Sequence, residues 1–190
     1  WRTYDQSTHT FGPETALGEL VALFEAAGFR RHNRLFRMAR IGPPTLLPAT
    51  APDPRVVVAG KGEGKDILDL LLRSFDGRAE PVPLPYEIEA ALAAGQISVV
   101  RCDGALAGLL FFETEGFTSL LRYWLIAPEY RAQRLGSGLM QRYFATHPTV
   151  RRFLLWVIAD NASAICKYEH YGFAPDGLVD LVLANKIIRQ

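Results

Sequence analysis

The sequence predicts a mixed α and β domain carrying a short N-terminal extension. Three observations point there. From Arg55 onward, apolar runs alternate between strand-like and helix-like periodicity in the order β-α-α-β-β-β-α-β-α-β. Asp103-Gly104 sits between two strand-like runs and is a strong hairpin signal. An apolar run, Leu120 to Ala127, feeds a small-residue turn that opens a helix-like run, Leu139 to Ala145. A chain of 190 residues with 49% hydrophobic content suits one globular domain, or one domain with an appendage.

Residues 1–13 read as polar and irregular. Thr15 to Ala27 reads as an amphipathic helix with Leu17, Leu20, Val21, Leu23 and Phe24 as its apolar stripe and Gly28 as its stop. Leu35 to Ile41 reads as a strand. Residues 1–41 form the appendage, and 42–54, with five prolines among small residues, form a linker that neither continues a helix nor donates to a sheet. The main domain is 55–190. It opens with a β-branched strand, Arg55 to Ala59. An amphipathic helix follows from Lys65 to Phe75, with Ile67, Leu68, Leu70, Leu71 and Leu72 apolar. After a proline-broken loop, Tyr86 to Ala94 is a second helix ended by Gly95. Gln96 to Cys102 and Ala105 to Thr114 are the arms of the hairpin, and Phe117 to Ala127 is a long strand. The helix Arg134 to Ala145, the strand Phe153 to Ile158, the helix from Asn161, a Pro175-Asp176-Gly177 turn and a last strand, Leu178 to Ile187, complete the domain.

The bulk numbers exclude several classes. A net charge of +1 with scattered Arg gives no footprint for nucleic acid or a membrane surface. Cys102 and Cys166 are too few for a disulfide scaffold and are read as buried or half-buried thiols. No Cys/His cluster has metal-ligand spacing, so no metal is expected. No run reaches membrane-spanning length and the start does not read as a signal peptide, so a cytoplasmic protein is expected. The chain opens on Trp1 rather than Met, and nothing is concluded about what precedes it.

The chemistry concentrates in Pro128-Glu129-Tyr130-Arg131-Ala132-Gln133-Arg134-Leu135-Gly136-Ser137-Gly138. A strand that turns through small residues into a helix gathers unpaired N–H groups at the positive end of the helix dipole, a cradle for phosphate. No Lys-Ser or Lys-Thr pair closes the loop, which excludes a Walker-type P-loop. Two glycines, Gly136 and Gly138, are too few for the dinucleotide fingerprint. The segment instead resembles the acyl-CoA pyrophosphate loop of the GCN5-related N-acetyltransferase (GNAT) superfamily, Arg/Gln-x-x-Gly-x-Gly/Ala, with Gln133, Gly136 and Gly138 in register. It departs at Ala132 and Arg134, where glycine is frequent in the family. A second stretch, Asn161-Ala162-Ser163-Ala164-Ile165-Cys166-Lys167-Tyr168-Glu169-His170-Tyr171-Gly172-Phe173, resembles the family's Asn-x-x-Ala-x-x-x-Tyr-Glu-x-x-Gly-Phe.

The resemblance implies a mixed, mostly antiparallel twisted sheet flanked by helices. It implies acetyl transfer from acetyl-CoA to a small-molecule or peptide amine, by direct attack in a ternary complex. Arg131, Gln133, Arg134, Leu135, Gly136, Ser137 and Gly138 would hold the pyrophosphate, glycine at 136 keeping a side chain out of the ligand's space. Leu125 and Ile126 would offer main-chain groups to the pantetheine arm, and Asn161 would contact that arm. Tyr168 matches the usual general acid, a phenol that protonates the departing thiolate. The general base is open between Glu113, Glu115, Tyr123 and a water chain with no dedicated base, with Glu113 put forward. The acceptor pocket falls to Phe75 to Tyr86 and its surroundings, where Asp76, Glu80, Tyr86 and Glu87 are charged or polar. His9, His32 and His147 sit in turn-like contexts and are read as surface residues, and His170 as pointing away from the Tyr168 side.

Two other readings stand beside this one: a non-catalytic acyl-CoA sensor or regulatory module, and a structural protein on the same fold. The N-terminal order of helix, Gly28-Phe29, basic turn and strand echoes the end of the chain. Residues 1–41 are therefore read either as the remnant of a second GNAT unit or as padding for the sheet or a homodimer surface.

Overall fold

The computed structural model describes residues 6–42, 53–131 and 133–185. Over these, the elements run β1 (Gln6–Pro13), α1 (Gly18–Ala26), β2 (Arg30–Ile41), β3 (Val56–Val58), α2 (Gly64–Ser74), α3 (Pro85–Ala93), β4 (Ile97–Cys102), β5 (Ala105–Glu115), β6 (Thr118–Ile126), α4 (Leu135–Ala145), β7 (Arg152–Ile158), α5 (Ala162–His170) and β8 (Ala174–Asn185). The ladders β1/β8, β2/β8, β3/β4, β4/β5 and β5/β6 are all antiparallel, the mixed, mostly antiparallel architecture expected. Most of the linker (43–52), the first five residues, Ala132 and positions 186–187 of the expected last strand lie outside the described residues.

The chain forms two compact units. One comprises residues 41–75 and 82–154. Its ladder runs β6-β5-β4-β3. The Asp103-Gly104 hairpin forms as read, both residues taking positive φ (50° and 81°), as a type I′ turn requires. Strand alternation sends Ile97, Val99, Leu109 and Phe111 to one face, where Ile67, Leu70 and Leu71 of α2 and Ile88, Ala91 and Leu92 of α3 cover them. On the other face Tyr143 of α4 meets Phe112 and Phe153 with ring centroids 5.3 and 5.5 Å apart. The buried Tyr143 hydroxyl donates to Ser119 Oγ at 2.7 Å, and that oxygen donates to the Glu113 carbonyl at 3.2 Å. α3 starts cleanly because Pro85 occupies its first turn and the Glu87 carboxylate accepts from Leu84 N–H at 2.7 Å.

The other unit comprises residues 1–40, 76–81 and 155–190. β8 lies between β1 and β2. Its Val179, Leu181 and Leu183 pack against Leu17 and Val21, while Val182, on the opposite face, packs with Leu35 and Ala79. α5 is capped by Asn161, whose side chain accepts from Ala164 N–H at 3.1 Å. It ends at Gly172 (φ 80°), with Phe173 N–H bonded to Tyr168 O.

Several expectations are corrected. Residues 6–13 are not irregular: they pair along β8, whose apolar residues favour a partner on both edges. Pro175-Asp176-Gly177 is not a turn before the strand. It lies inside β8 as an irregularity opposite Arg37, where Phe36 pairs Val179 and Met38 pairs Pro175, and Arg37 and Asp176 form an ion pair at 2.7 Å. Leu20 and Leu23 leave the apolar stripe of α1, Leu23 being 69% exposed, and Leu72 of α2 is 59% exposed. Cys166 is exposed, because α5 buries no residue fully. His147 is buried rather than on the surface, its ring 4.4 Å from that of Phe112 and its Nδ1 2.6 Å from Tyr143 O.

The contrast between Leu71 and Leu72 is testable. Leu71→Ala should lower the unfolding free energy by about 2–5 kcal/mol in denaturant titration, and Leu72→Ala by less than about 0.5. Equal losses would mean that α2 is rotated about its axis.

Candidate functional site

β6 delivers the chain through a 3₁₀ turn, Pro128–Tyr130, to the start of α4. No side chain caps that helix. Its entry residue, Arg134, takes a left-handed conformation (φ 57°, ψ 15°). This explains the family's preference for glycine there: a residue with a Cβ enters that region at a cost of about 1–2 kcal/mol, and here Arg bears it. Ser137 N–H turns back to Arg134 O at 3.1 Å, leaving the Leu135 and Gly136 amides at the tip of the dipole. Arg131, Gln133, Arg134 and Ser137 are exposed around them, while the Leu135 side chain is buried, so Leu135 serves the site through its backbone. The loop meets the needs of a diphosphate: amide donors, a helix N-terminus and two exposed cations.

Packing gives the two glycines a reason of its own, beside the expected one of room for a ligand. A Cβ at Gly136 would lie 3.2 Å from the ring of Trp124, whose Nε1–H donates to Gly136 O at 3.2 Å. A Cβ at Gly138 would lie 3.0 Å from the Asp53 Cβ and 3.2 Å from a Val56 methyl. Both positions are empty so that α4 can approach its own sheet. On β6, Ala127 N–H bonds to Ala107 O of the preceding hairpin arm. By antiparallel alternation, Leu125 also points its main-chain groups to β5, whereas Ile126 points its own to the other edge. Of the two residues expected to offer main-chain groups to the pantetheine arm, only Ile126 presents them away from the ladder.

Glu113 lies in a cleft of about 450 Å³ within the same unit, with Tyr86, Glu87, Gln96, Phe111 and Arg122 on its walls. A bulge between Phe111 and Phe112 makes Arg122 the extra residue of β6. Its guanidinium pairs with Glu113 at 2.5 Å. Glu115 is exposed, and Tyr123 is packed between Phe75 and Phe111 in the core. Glu87 serves α3 as its cap. Cys102 has the Gln133 side chain at 4.0 Å.

In the other unit, Tyr168 meets Phe173 edge to face at 6.0 Å. Burial, and then the charge of Glu80, push its phenol well above the usual range. Glu80 itself is pushed up to about 7 by burial and then by Asp76. His32 is exposed, as read, and its Nε2 lies 2.6 Å from Asp76 Oδ2. His9 is similarly engaged, with Asp180 at 2.6 Å. His170 is exposed and lies against Tyr171. The grouping of Tyr168 with Glu80, Asp76 and His32 was not foreseen, although each acid had been noted in the acceptor region. Among the described residues no three His, Cys, Asp or Glu side chains are grouped to hold a metal ion, and no helix is long and apolar enough to cross a membrane.

Residues 64–173, which include both the glycine loop and the Tyr168 helix, match the acetyltransferase (GNAT) family. The chain belongs to that family. GNAT proteins as a class transfer acetyl groups from an acyl-CoA to amines, so the general activity follows from membership. Solved structures share the fold. A GNAT-family protein from Novosphingobium aromaticivorans is 22% identical with a TM-score of 0.70, over 96% of this chain and 75% of its own. A tandem GNAT protein from the clavulanic acid biosynthesis pathway is 17% identical with a TM-score of 0.63, over 94% of this chain and 62% of its own. The PaiA N-acetyltransferase of Thermoplasma acidophilum, solved with coenzyme A, is 13% identical with a TM-score of 0.50, over 69% of this chain and 97% of its own. The chain thus spans less than two thirds of the tandem protein. No curated protein matches it in sequence.

The packing role of Gly136 can be checked without any ligand. Gly136→Ala should destabilise the fold by about 1–3 kcal/mol, and by clearly less in a Trp124→Leu background. An equal cost in both backgrounds would show that the indole does not set the requirement.

Proposed function

We propose that this GNAT protein moves an acetyl group from acetyl-CoA to an amine by direct attack of the amine nitrogen on the thioester. The observation that carries the reading is the uncapped start of α4, with its left-handed entry and two exposed arginines. In this reading the Leu135 and Gly136 amides hold the pyrophosphate, with Arg131, Gln133, Arg134, Ser137 and Gly138 around it. Ile126 offers its main chain to the pantetheine arm, and Leu125 its position beside it. Asn161 has its side-chain oxygen engaged as a cap, so it would reach that arm through its NH₂.

Tyr168 protonates the departing sulfur. A phenol is neutral over the working pH range, and partial burial and the Glu80 charge raise it further, so the proton is in place when thiolate charge develops. Direct attack is favoured over a covalent route because, among the described residues, no histidine or carboxylate is hydrogen-bonded to Cys102 or Cys166; Cys102 meets the Gln133 side-chain amide. Glu113 acts as base only if it first parts from Arg122. Its cleft, with charges of both signs, suits instead a polar amine acceptor. Residues 55–190 are taken as the catalytic domain, in the cytoplasm. The likeness to a tandem protein supports reading residues 1–41 as the remnant of a second unit.

The test begins with calorimetry of acetyl-CoA. The parent should bind with micromolar affinity. Ser137→Glu, which sets an anion at the helix start without touching the core, should weaken binding at least about tenfold. Turnover is then followed as thiol release over a panel of spermidine, lysine, glucosamine, kanamycin and a free N-terminal tripeptide. Tyr168→Phe should slow the best of these about 100-fold or more with acetyl-CoA affinity unchanged. Binding without turnover on any acceptor would favour the sensor reading, and no binding would sink both.

A further inference from the structure

We propose that Glu80 is the general base of the transfer, that Asp76 and His32 position it, and that it exchanges charge with Tyr168 during the reaction. This rests on the acetyltransferase reading above and adds a residue to it.

The geometry begins with a single helical turn. The Asp76 carbonyl accepts from Ala79 N–H at 3.0 Å and from Glu80 N–H at 2.8 Å. A turn closed in this way brings side chains four apart to the same side, so the two carboxyls face one way. Ala79, 1% exposed, anchors the turn in a cluster with Leu35, Val182, Trp156 and Ile158. Asp76 is held at both oxygens: Oδ1 accepts from Arg78 N–H at 3.0 Å, and Oδ2 lies 2.6 Å from His32 Nε2. Burial works to raise the Asp76 carboxyl, but the Arg78 amide and His32 outweigh it and hold it below the usual carboxylate range. Asp76 is therefore a fixed negative charge.

Glu80 differs from every other acid considered. It is half-buried, and among the described residues neither a cation nor a hydrogen-bond donor engages its carboxylate. Burial and the Asp76 charge put it at about 7, where a base is partly ionised at neutral pH and still accepts a proton readily. Glu113, by contrast, is neutralised by Arg122. Asp76 on its own turn acts on Glu80, His32 of β2 acts through Asp76, and Glu80 in turn acts on Tyr168 of α5.

The coupling has a definite sign. While Glu80 is charged, it holds the Tyr168 proton in place. When Glu80 takes a proton, that restraint disappears and the phenol becomes the better acid. The step balances. The ammonium gives one proton to Glu80 and becomes a nucleophile. Its nitrogen bonds to the thioester carbonyl carbon and the C–S bond breaks. Tyr168 gives its proton to sulfur and recovers one from the nitrogen, which sheds its second in forming the amide. Glu80 releases its proton to solvent. His32 lies outside residues 64–173, so the N-terminal segment contributes to the chemistry of the family domain.

Two measurements on the full chain decide it. Carboxyl ¹³C NMR of glutamate-labelled protein, with Glu80 assigned by its loss in Glu80→Gln, should give a midpoint near 7. It should fall in Asp76→Asn, since a like charge has been removed. With the best acceptor of the panel, kcat/KM should rise with pH through that same midpoint. Glu80→Gln should lower it about 100-fold or more above neutrality and abolish the limb, at unchanged acetyl-CoA affinity. Asp76→Asn should move the limb to lower pH, which ionisation of the amine itself would not do. Parent-like turnover and pH profile in Glu80→Gln, or a Glu80 midpoint in the usual carboxylate range, overturns the inference and leaves the acetyltransferase reading standing. A parent that binds no acetyl-CoA or acetylates no amine fails that reading first. Should Glu80→Gln not fold, the Asp76→Asn limb shift carries the test.

Discussion

Burial of β5 on both faces is the constraint from which the organisation of its unit follows. Residues Ala107 to Phe112 are all buried, with Leu109 and Phe111 under α2 and α3 and Leu110 and Phe112 turned the other way, toward α4. A one-residue slip would exchange the two sets, so register is tightly specified. Gly108 fixes it further, because a Cβ there would lie 2.6 Å from the Leu125 carbonyl. With β5 set, β6 is set, and the chain leaves Ile126 at the one place from which α4 can start against Trp124. The phosphate-type loop is positioned by packing before any ligand contributes.

The chemistry of the other unit arises from desolvation rather than from contacts. Exposed carboxylates and phenols titrate near their ordinary values. In the turn at Asp76–Glu80, a buried Ala79 draws Glu80 partly out of water while Asp76 stays exposed, and the Arg78 amide and His32 keep Asp76 charged. A site built this way separates two like groups by environment, one a fixed charge and the other able to titrate near neutrality.

Much of the fold was legible in the sequence because its signals are local. The Asp103-Gly104 hairpin, the Asn161 cap, the Gly172 stop and the order of elements from Arg55 onward depend on residues within a few positions of each other, and each formed. The failures are of another kind. Gln6–Pro13 has no periodicity of its own and becomes a strand only because β8 offers an edge. Pro175-Asp176-Gly177 is turn chemistry that the ladder absorbs as an irregularity, stabilised by Arg37 from a residue 139 positions away. Leu23 and Leu72 are apolar residues that tertiary packing left outside.

The same division runs through the site. By itself the sequence determined the family, the glycine loop and the Tyr168 helix, because phosphate binding at a helix start and a capped helix are encoded in contiguous residues. Only the tertiary structure decided that Gly136 is empty for Trp124, that Glu113 is neutralised by Arg122, and that His32, Asp76, Glu80 and Tyr168 act on one another. Those facts depend on burial and on charges brought together from residues as much as 136 positions apart, between His32 and Tyr168, and burial is a property of the folded chain that no local pattern carries.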